Sequence, residues 1–149
     1  MQLQDLMTAQ PAFCTPDTPL QQVAAMMIEF DCGCIPVLEN AETLRPLGVV
    51  TDRDICCRTV AVNMNPLEMT AIEVMSGPAL TLSLEHSLED CQRVMEKYQV
   101  RRLVILDEEG RCTGIVAQAD LALDAPQEVT AEVVRTISQP AHAAVVTPH

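Results

Sequence analysis

Apolar residues recur along the chain in two series with the same spacing. In each series they stand at positions i, i+3, i+7 and i+10, the apolar stripe of an amphipathic helix of about three turns. The two series are Leu20, Val23, Met27 and Phe30, and, 68 residues later, Leu88, Cys91, Met95 and Tyr98. Start signals precede them, with Thr18 and Pro19 before the first series and Ser87 before the second. The pattern predicts two similar helices.

Each predicted helix is followed by two short apolar runs, which predict a pair of β-strands. The runs are residues 35–38 and 48–51 in the first copy, and residues 103–106 and 114–117 in the second. Gly110, in the polar connection of the second pair, indicates a hairpin turn. A further helix begins after each pair, at Thr51-x-x-Asp54 and at Ala117-x-x-Asp120. Each copy is therefore predicted to form a strand–helix–strand–strand–helix (βαββα) unit.

This internal repeat predicts the domain organisation. A copy of about 55 residues is too small to bury its own sheet, so the two copies are expected to pack sheet to sheet about a pseudo-twofold axis. We expect an α+β fold with repeat 1 at residues 1–62, a linker at residues 63–68 and repeat 2 at residues 69–123. Residues 124–149 are expected to form a short C-terminal helix, from apolar positions within residues 127–137, and a flexible tail.

Composition and charge exclude several classes of function. The 149 residues carry a net charge of −12, which repels phosphate backbones, so we expect neither nucleic-acid nor anionic-membrane binding. The aromatic residues are Phe13, Phe30 and Tyr98 alone, too few for a stacking platform. No apolar run approaches the roughly 18 residues of a membrane span, and the start of the chain lacks the features of a secretory signal. We expect a cytoplasmic protein.

Seven cysteines raise the question of a metal or redox site. In the cytosol they would be reduced and would pack as small apolar residues. They lack the paired spacing of a structural zinc site, and His86, His142 and His149 are far apart in the sequence. Cys32 and Cys34 remain a candidate thiol or metal pair. We expect no required cofactor and no metal.

The motifs of the two copies resemble those of a tandem cystathionine β-synthase (CBS) domain pair, also called a Bateman module. They are D-L-M-T, T-P-L, C-I-P-V and G-V-V-T-D-R-D-I in the first copy, and V-M-S, R-R-L-V-I and G-I-V-A-Q-A-D-L in the second. The resemblance covers about residues 3 to 123 and implies two βαββα units with two clefts between them. It further implies a homodimeric regulatory module that senses adenosine nucleotides or, less often, S-adenosylmethionine.

Thr51 and Asp54 are the first candidate ligand-binding residues. Alone, the T-x-x-D spacing is that of a capping box, in which the threonine hydroxyl and the aspartate carboxylate satisfy backbone amides at a helix start. The family resemblance implies that Thr51 bonds phosphate or ribose oxygens and that Asp54 accepts both ribose hydroxyls. A carboxylate suits a cis-diol because it offers two acceptor oxygens. In the second copy Asp120 remains but Ala117 replaces the threonine, so a second site is expected to be weaker.

The resemblance also assigns an apolar slot and a basic group. Ile35, Pro36 and Val37, together with Val49, are expected to sandwich the adenine ring, although the same residues equally suit the core of a sheet. Arg101 and Arg102 replace Gly33 and Cys34 of the first copy and are expected to contact phosphates, because guanidinium offers bidentate donors. Arg53 is a weaker candidate for the same contact.

These observations lead to one functional hypothesis with open alternatives. The chain is expected to be a regulatory module, not an enzyme, since the common nucleophile, P-loop, metalloprotease and dinucleotide motifs are absent. It would bind AMP, ADP or ATP and signal to an effector protein. The alternatives are a structural CBS pair with empty clefts, and a sensor of S-adenosylmethionine, thiol state or metal. A homodimer is expected through residues 55–62 and 71–75, which are richer in apolar residues than one core requires.

Overall fold

The computed structural model describes residues 2–124 and 127–139 and has the expected α+β fold. The helices are α1 (Leu3–Leu6), α2 (Leu20–Glu29), α3 (Asp52–Cys57), α4 (Ala71–Val74), α5 (Leu88–Tyr98), α6 (Gln118–Asp124) and α7 (Gln127–Ile137). The strands are β1 (Thr8–Ala9), β2 (Cys34–Leu38), β3 (Pro46–Thr51), β4 (Thr81–Ser83), β5 (Arg102–Leu106) and β6 (Cys112–Ala117). Two 3-10 helices, Val60–Val62 and Pro66–Glu68, follow α3. The expected tail beyond residue 139 lies outside the described residues.

One compact unit comprises residues 11–80 and is built around an antiparallel hairpin. Strands β2 and β3 pair with Ile35 opposite Val50 and Pro36 opposite Val49. Cys14 adds a single parallel bridge to Val37, in the place that the first strand of a βαββα unit would occupy. Alternate strand residues point inward, and the core cluster of this unit comprises Cys14, Leu20, Val23, Ile35, Val37, Val50, Met69, Ala71 and Val74.

The second compact unit combines residues 2–10 with the described residues from 81 onward. Its four-stranded sheet has the order β1-β6-β5-β4, in which β4 and β5 are parallel and the other pairs antiparallel. The predicted C-terminal helix is present as α7, and it buries Val133 and Ile137. Helix α7 packs against α5 and α6, so it completes the helical layer of this unit.

The compact units do not follow the sequence repeats at their leading segments. Thr8, which precedes the first repeat's main helix, pairs with Ile115 in β6 of the second repeat. The equivalent Ser76, from the start of the second repeat, pairs with Val49 in β3 of the first. Each unit is therefore completed by a short segment that the sequence assigns to the other repeat.

The helix starts illustrate which sequence signals act locally. Ser87 caps α5 as predicted, because its hydroxyl accepts a hydrogen bond from the Asp90 amide and its own amide donates to the Asp90 carboxylate. Thr18 does not cap α2. The Leu20 amide, at the start of that helix, donates instead to the Met69 carbonyl. No helix within residues 2–124 and 127–139 is long and apolar enough to cross a membrane.

Gly48 in β3 lies against the segment that contains Ser76, and this close contact gives a test of the fold. A Cβ atom there would overlap the Ser76 carbonyl oxygen, which is held by the Val49 amide at 2.9 Å. Gly48→Ala is therefore expected to lower the free energy of unfolding by about 2 kcal/mol, measured by urea denaturation. The matched control is Gly114→Ala, because the atoms nearest to a Cβ there belong to the flexible Met7 side chain. Equal losses in the two variants would contradict the argument.

Candidate functional site

Asp54 lies at the start of α3 and is held on both carboxylate oxygens. The Thr51 amide donates to Oδ2 at 3.0 Å, and the Asp54 amide donates to the Thr51 hydroxyl at 3.0 Å. These two bonds are the capping box that the T-x-x-D spacing predicts. Oδ1 accepts a hydrogen bond from the Ser76 hydroxyl at 3.0 Å. Asp54 is only 9% exposed, so its carboxylate is part of the folded interior as well as a candidate ligand group.

Arg58 and Ser76 belong to the same cluster and were not among the residues predicted from sequence. Arg58 Nε lies 3.9 Å from Asp54 Oδ1, and Arg58 Nη1 donates to the carbonyls of Val74 and Met75 at 3.0 and 2.8 Å. The carbonyls at the end of α4 are thereby satisfied. Two signals were available in the sequence. Arg58 stands four residues after Asp54, and Ser76 follows the repeated Val74-Met75 pair.

The strand residues expected to form an adenine slot divide between two faces of the hairpin. Ile35 and Val37 are fully buried in the core cluster, which is the simpler role that the sequence left open for them. Pro36 and Val49 are opposite each other on the other face, where Val49 is half-buried. Thr51 shares that face because strand residues alternate. The face of the hairpin that carries Thr51 thus has Pro36, which is buried, and Val49, while Ile35 and Val37 belong to the core.

Arg101 and Arg102 line a cleft of about 260 Å³ at the start of α6. The cleft is completed by Ala117, Gln118, Ala119 and Ala122. Arg102 is directly opposite Ala117 in the β5–β6 pair, and the Gln118 amide donates to the Arg101 carbonyl at 2.8 Å. Small side chains on one wall leave space, and the arginines supply positive charge. This composition suits an anionic group.

Asp120 lies in the first turn of α6 in the same unit and makes one of the two capping-box hydrogen bonds seen at Asp54. Its Oδ2 accepts a hydrogen bond from the Ala117 amide at 2.7 Å, but residue 117 has no hydroxyl to complete a capping box. Asp120 is half-buried, and so it is more accessible than Asp54. Its negative charge adds to burial in raising the pKa of the Cys91 thiol to about 12.

Ion pairing separates the arginines that are candidate ligand groups from those that have a structural role. Within the described residues, ion pairs involve Arg45, Arg58, Arg93, Arg111 and Arg135. No ion pair in that part of the chain involves Arg53, Arg101 or Arg102. Arg53 and Arg101 are exposed and Arg102 is half-buried. The three predicted phosphate-contacting residues therefore make no ion pair among the described residues, and they belong to different compact units.

The cysteines divide into buried and accessible groups. Burial raises the pKa of the Cys14 thiol to about 12 and also raises that of Cys112, so both remain protonated and unreactive at neutral pH. Cys32 is exposed, whereas Cys34 is buried. Between residues 2 and 124 and from 127 to 139, no three histidine, cysteine or acidic side chains are grouped to hold a metal ion. His142 and His149 lie outside these ranges.

Comparison with known proteins follows the same division into two repeats. The family model for the CBS domain matches twice, at residues 3–58 and 71–123. The CBS domain-containing protein YhcV of Bacillus subtilis is 38% identical over 122 residues, which are 82% of this chain and 84% of YhcV. Hypoxic response protein 1 of Mycobacterium tuberculosis is 31% identical over 91% of this chain and 93% of its own.

Solved structures show the same fold in proteins with different ligands. The crystal structure of Hypoxic Response Protein I with two coordinated zinc ions has a TM-score of 0.74 and covers 85% of this chain and all of its own. The CBS domain pair of protein MJ0100, in complex with 5′-methylthioadenosine and S-adenosyl-L-methionine, has 20% identity, a TM-score of 0.71 and coverages of 82% and 97%. CBSX2 in complex with AMP has 22% identity, a TM-score of 0.67 and coverages of 81% and 93%.

Proposed function

Because the chain belongs to the CBS domain family of regulatory ligand-binding modules, we propose that it binds an adenosine-containing nucleotide (AMP, ADP or ATP) and signals this state to an effector protein. The two CBS repeats account for most of the chain, so the proposed role is regulatory, with no reaction and no required cofactor. Binding of AMP by CBSX2 is consistent with this ligand class.

The observation that carries the proposal is the basic cleft at the start of α6. Arg101 and Arg102 line it without an ion pair in the described part of the chain, beside three alanines and Gln118. The guanidinium groups are at least partly exposed, and because neither makes an ion pair in the described part of the chain, their donors are available to an anion. Phosphate meets this requirement because it accepts paired hydrogen bonds from arginine. Asp120, on the same helix, is a second candidate acceptor for a ribose.

The remaining predicted residues are proposed to hold the nucleoside. Asp54 accepts the ribose hydroxyls and Thr51 a ribose or phosphate oxygen, while Pro36 and Val49 contact the adenine with Ile35 and Val37 supporting them from the core. Arg53 is exposed two positions from Thr51 and adds a further phosphate donor. In this proposal the carboxylates accept a diol and the arginines bind an anion, and a nucleotide presents both groups.

A thermal-shift screen tests the ligand class. A nucleotide at about 100 times its dissociation constant adds roughly 2.7 kcal/mol to the free energy of unfolding. For a chain of this size the melting temperature is then expected to rise by roughly 5–10 °C with AMP, ADP or ATP. Inorganic triphosphate at the same concentration and ionic strength is the control for charge alone. No shift with any adenine nucleotide at millimolar concentration would instead favour a structural CBS pair with empty clefts.

Two ligands of structural neighbours provide alternative outcomes of that screen. Stabilisation by S-adenosylmethionine without stabilisation by nucleotides would assign this chain the ligand class named for MJ0100. The zinc ions of Hypoxic Response Protein I favour a second candidate function, metal or thiol sensing through Cys32 and Cys34. Stabilisation by Zn²⁺ that is accompanied by loss of titratable thiols would support it.

We also propose that the protein is a homodimer through an apolar surface in residues 60–72. This surface consists of Val60, Val62, Met64, Leu67 and Ile72, which are between 42% and 69% exposed. Its members lie on the 3-10 helices that follow α3, in the connection between them (Met64) and on α4, close to the segments expected from sequence. So many exposed apolar side chains within one short stretch are typical of an interaction surface. A second copy would remove them from water.

A further inference from the structure

We propose that the Ser76 hydroxyl and the ribose of a bound nucleotide compete for the Asp54 carboxylate, so that ligand binding loosens the attachment of Ser76 to α3. This inference rests on the proposed function, because it needs a ribose at Asp54. Through this competition, a ribose bound at Asp54 would change how firmly the segment that begins the second repeat is attached.

The competition follows from how the carboxylate is already used. A cis-diol presents two hydroxyl donors, and it needs an accessible acceptor position for each. The Thr51 amide uses one position on Oδ2 and the Ser76 hydroxyl uses one on Oδ1, both at 3.0 Å. With Asp54 only 9% exposed, little of the carboxylate remains open to an incoming ligand. The Thr51 amide is fixed by the backbone, whereas the Ser76 hydroxyl leaves Oδ1 through rotation of one side chain. Ser76 is therefore the donor that a ribose displaces.

The Ser76 hydroxyl is one of several attachments of residues 74–76, in which Val74 belongs to the core cluster. Ser76 and Val49 exchange backbone hydrogen bonds at 2.8 and 2.9 Å. Arg58 donates to the carbonyls of Val74 and Met75, and its Nε lies 3.9 Å from the same Asp54 oxygen. Asp54 is thus linked to the segment of residues 74–76 twice, directly through Ser76 and indirectly through Arg58. A ligand that takes Oδ1 removes the serine contact and leaves the Arg58 contacts as the remaining side-chain link between α3 and this segment.

The other repeat does not have this arrangement, which provides a matched control. The equivalent of Ser76 is Thr8, an exposed residue that pairs with Ile115 in β6. The equivalent of Arg58 is Asp124, whose charge is opposite. The proposed competition is therefore specific to Asp54.

The test compares the unmodified chain with Ser76→Ala and Thr8→Ala, using adenosine as a probe without phosphates. Because Ser76→Ala removes the competing donor, its affinity for adenosine by calorimetry is expected to rise about tenfold, while Thr8→Ala stays unchanged. In the unmodified chain adenosine is expected to increase hydrogen exchange at the amides of Met75 and Ser76. Unchanged or weaker adenosine binding by Ser76→Ala, or added protection of these amides, would overturn the competition.

A ligand variant makes the same test without a mutation. We expect 2′,3′-dideoxyadenosine, which lacks both hydroxyls, to leave exchange at Met75 and Ser76 unchanged, and the same increase as with adenosine would refute the inference. Different results contradict the competition at Asp54 and the proposed binding of a nucleotide. Equal binding of adenosine by the unmodified chain and Ser76→Ala overturns the competition alone. No binding of adenosine, AMP, ADP or ATP by any of the three proteins at millimolar concentration overturns both.

Discussion

Asp54→Ala is expected to weaken the binding of adenosine, AMP and ATP by the same factor, roughly a hundredfold. The reason is that each ligand would lose two hydrogen bonds to a charged acceptor. Each bond is worth about 1.5–3 kcal/mol, less the cost of displacing the Ser76 hydroxyl from Asp54. The factor is common to all three because the ribose is common to them. Calorimetric titration of each ligand measures it. Asp54→Asn, which keeps the side-chain size and one acceptor oxygen, controls for the role of Asp54 in folding.

Arg102→Ala is the contrasting half of this prediction. It is expected to weaken the binding of ATP roughly tenfold and to leave the affinity for adenosine unchanged, because only phosphate contacts are lost. Asp120→Ala is expected to have a smaller effect than Asp54→Ala, since Ala117 provides no hydroxyl in that repeat. If Arg102→Ala weakened adenosine and ATP equally, the assignment of Arg102 to phosphate would be wrong.

Leu67→Glu combined with Ile72→Glu is expected to convert a dimer of about twice 16.3 kDa into a monomer. These residues are 69% and 52% exposed within the apolar surface defined above, and two carboxylates buried against a second copy would weaken association roughly a hundredfold or more. Light scattering coupled to size exclusion measures the mass. Tyr98→Glu is the matched control, an exposed apolar residue at 51% outside that surface.

Salt dependence adds a second readout for the dimer. Each chain carries a net charge of −12, so repulsion opposes association and added salt is expected to strengthen it by screening. A mass near 16 kDa for the unmodified chain at micromolar concentration and moderate salt would contradict the dimer. A double variant that remained dimeric would place the interface elsewhere.

Local patterns were sufficient to predict most secondary structure. The apolar spacing predicted α2 and α5, and the paired apolar runs predicted the β2–β3 and β5–β6 hairpins, because these elements depend on neighbouring residues. Ser87 caps α5 for the same reason. Thr18 was a comparable signal that failed, since the Met69 carbonyl, about fifty residues further along the chain, satisfies the first amide of α2.

Long-range pairing was not predictable from one sequence. The placement of Thr8 on β6 and of Ser76 on β3 depends on which strand edge each short segment meets, and two residues carry no periodicity that specifies it. The same limit applied to the candidate site. Asp54 was found from its spacing to Thr51, but its contact with Ser76 spans 22 positions and needs the folded chain. Burial of Ile35 and Val37 was likewise compatible with either a core or a slot until their strand faces were known.

Calorimetric titration of AMP, ADP and ATP into the unmodified protein is the most direct test of the central claim. We expect saturable binding of at least one of these nucleotides, and tighter binding of ATP than of adenosine because Arg101 and Arg102 contribute only when phosphates are present. Heats no larger than those of dilution for all three nucleotides up to millimolar concentration would contradict it.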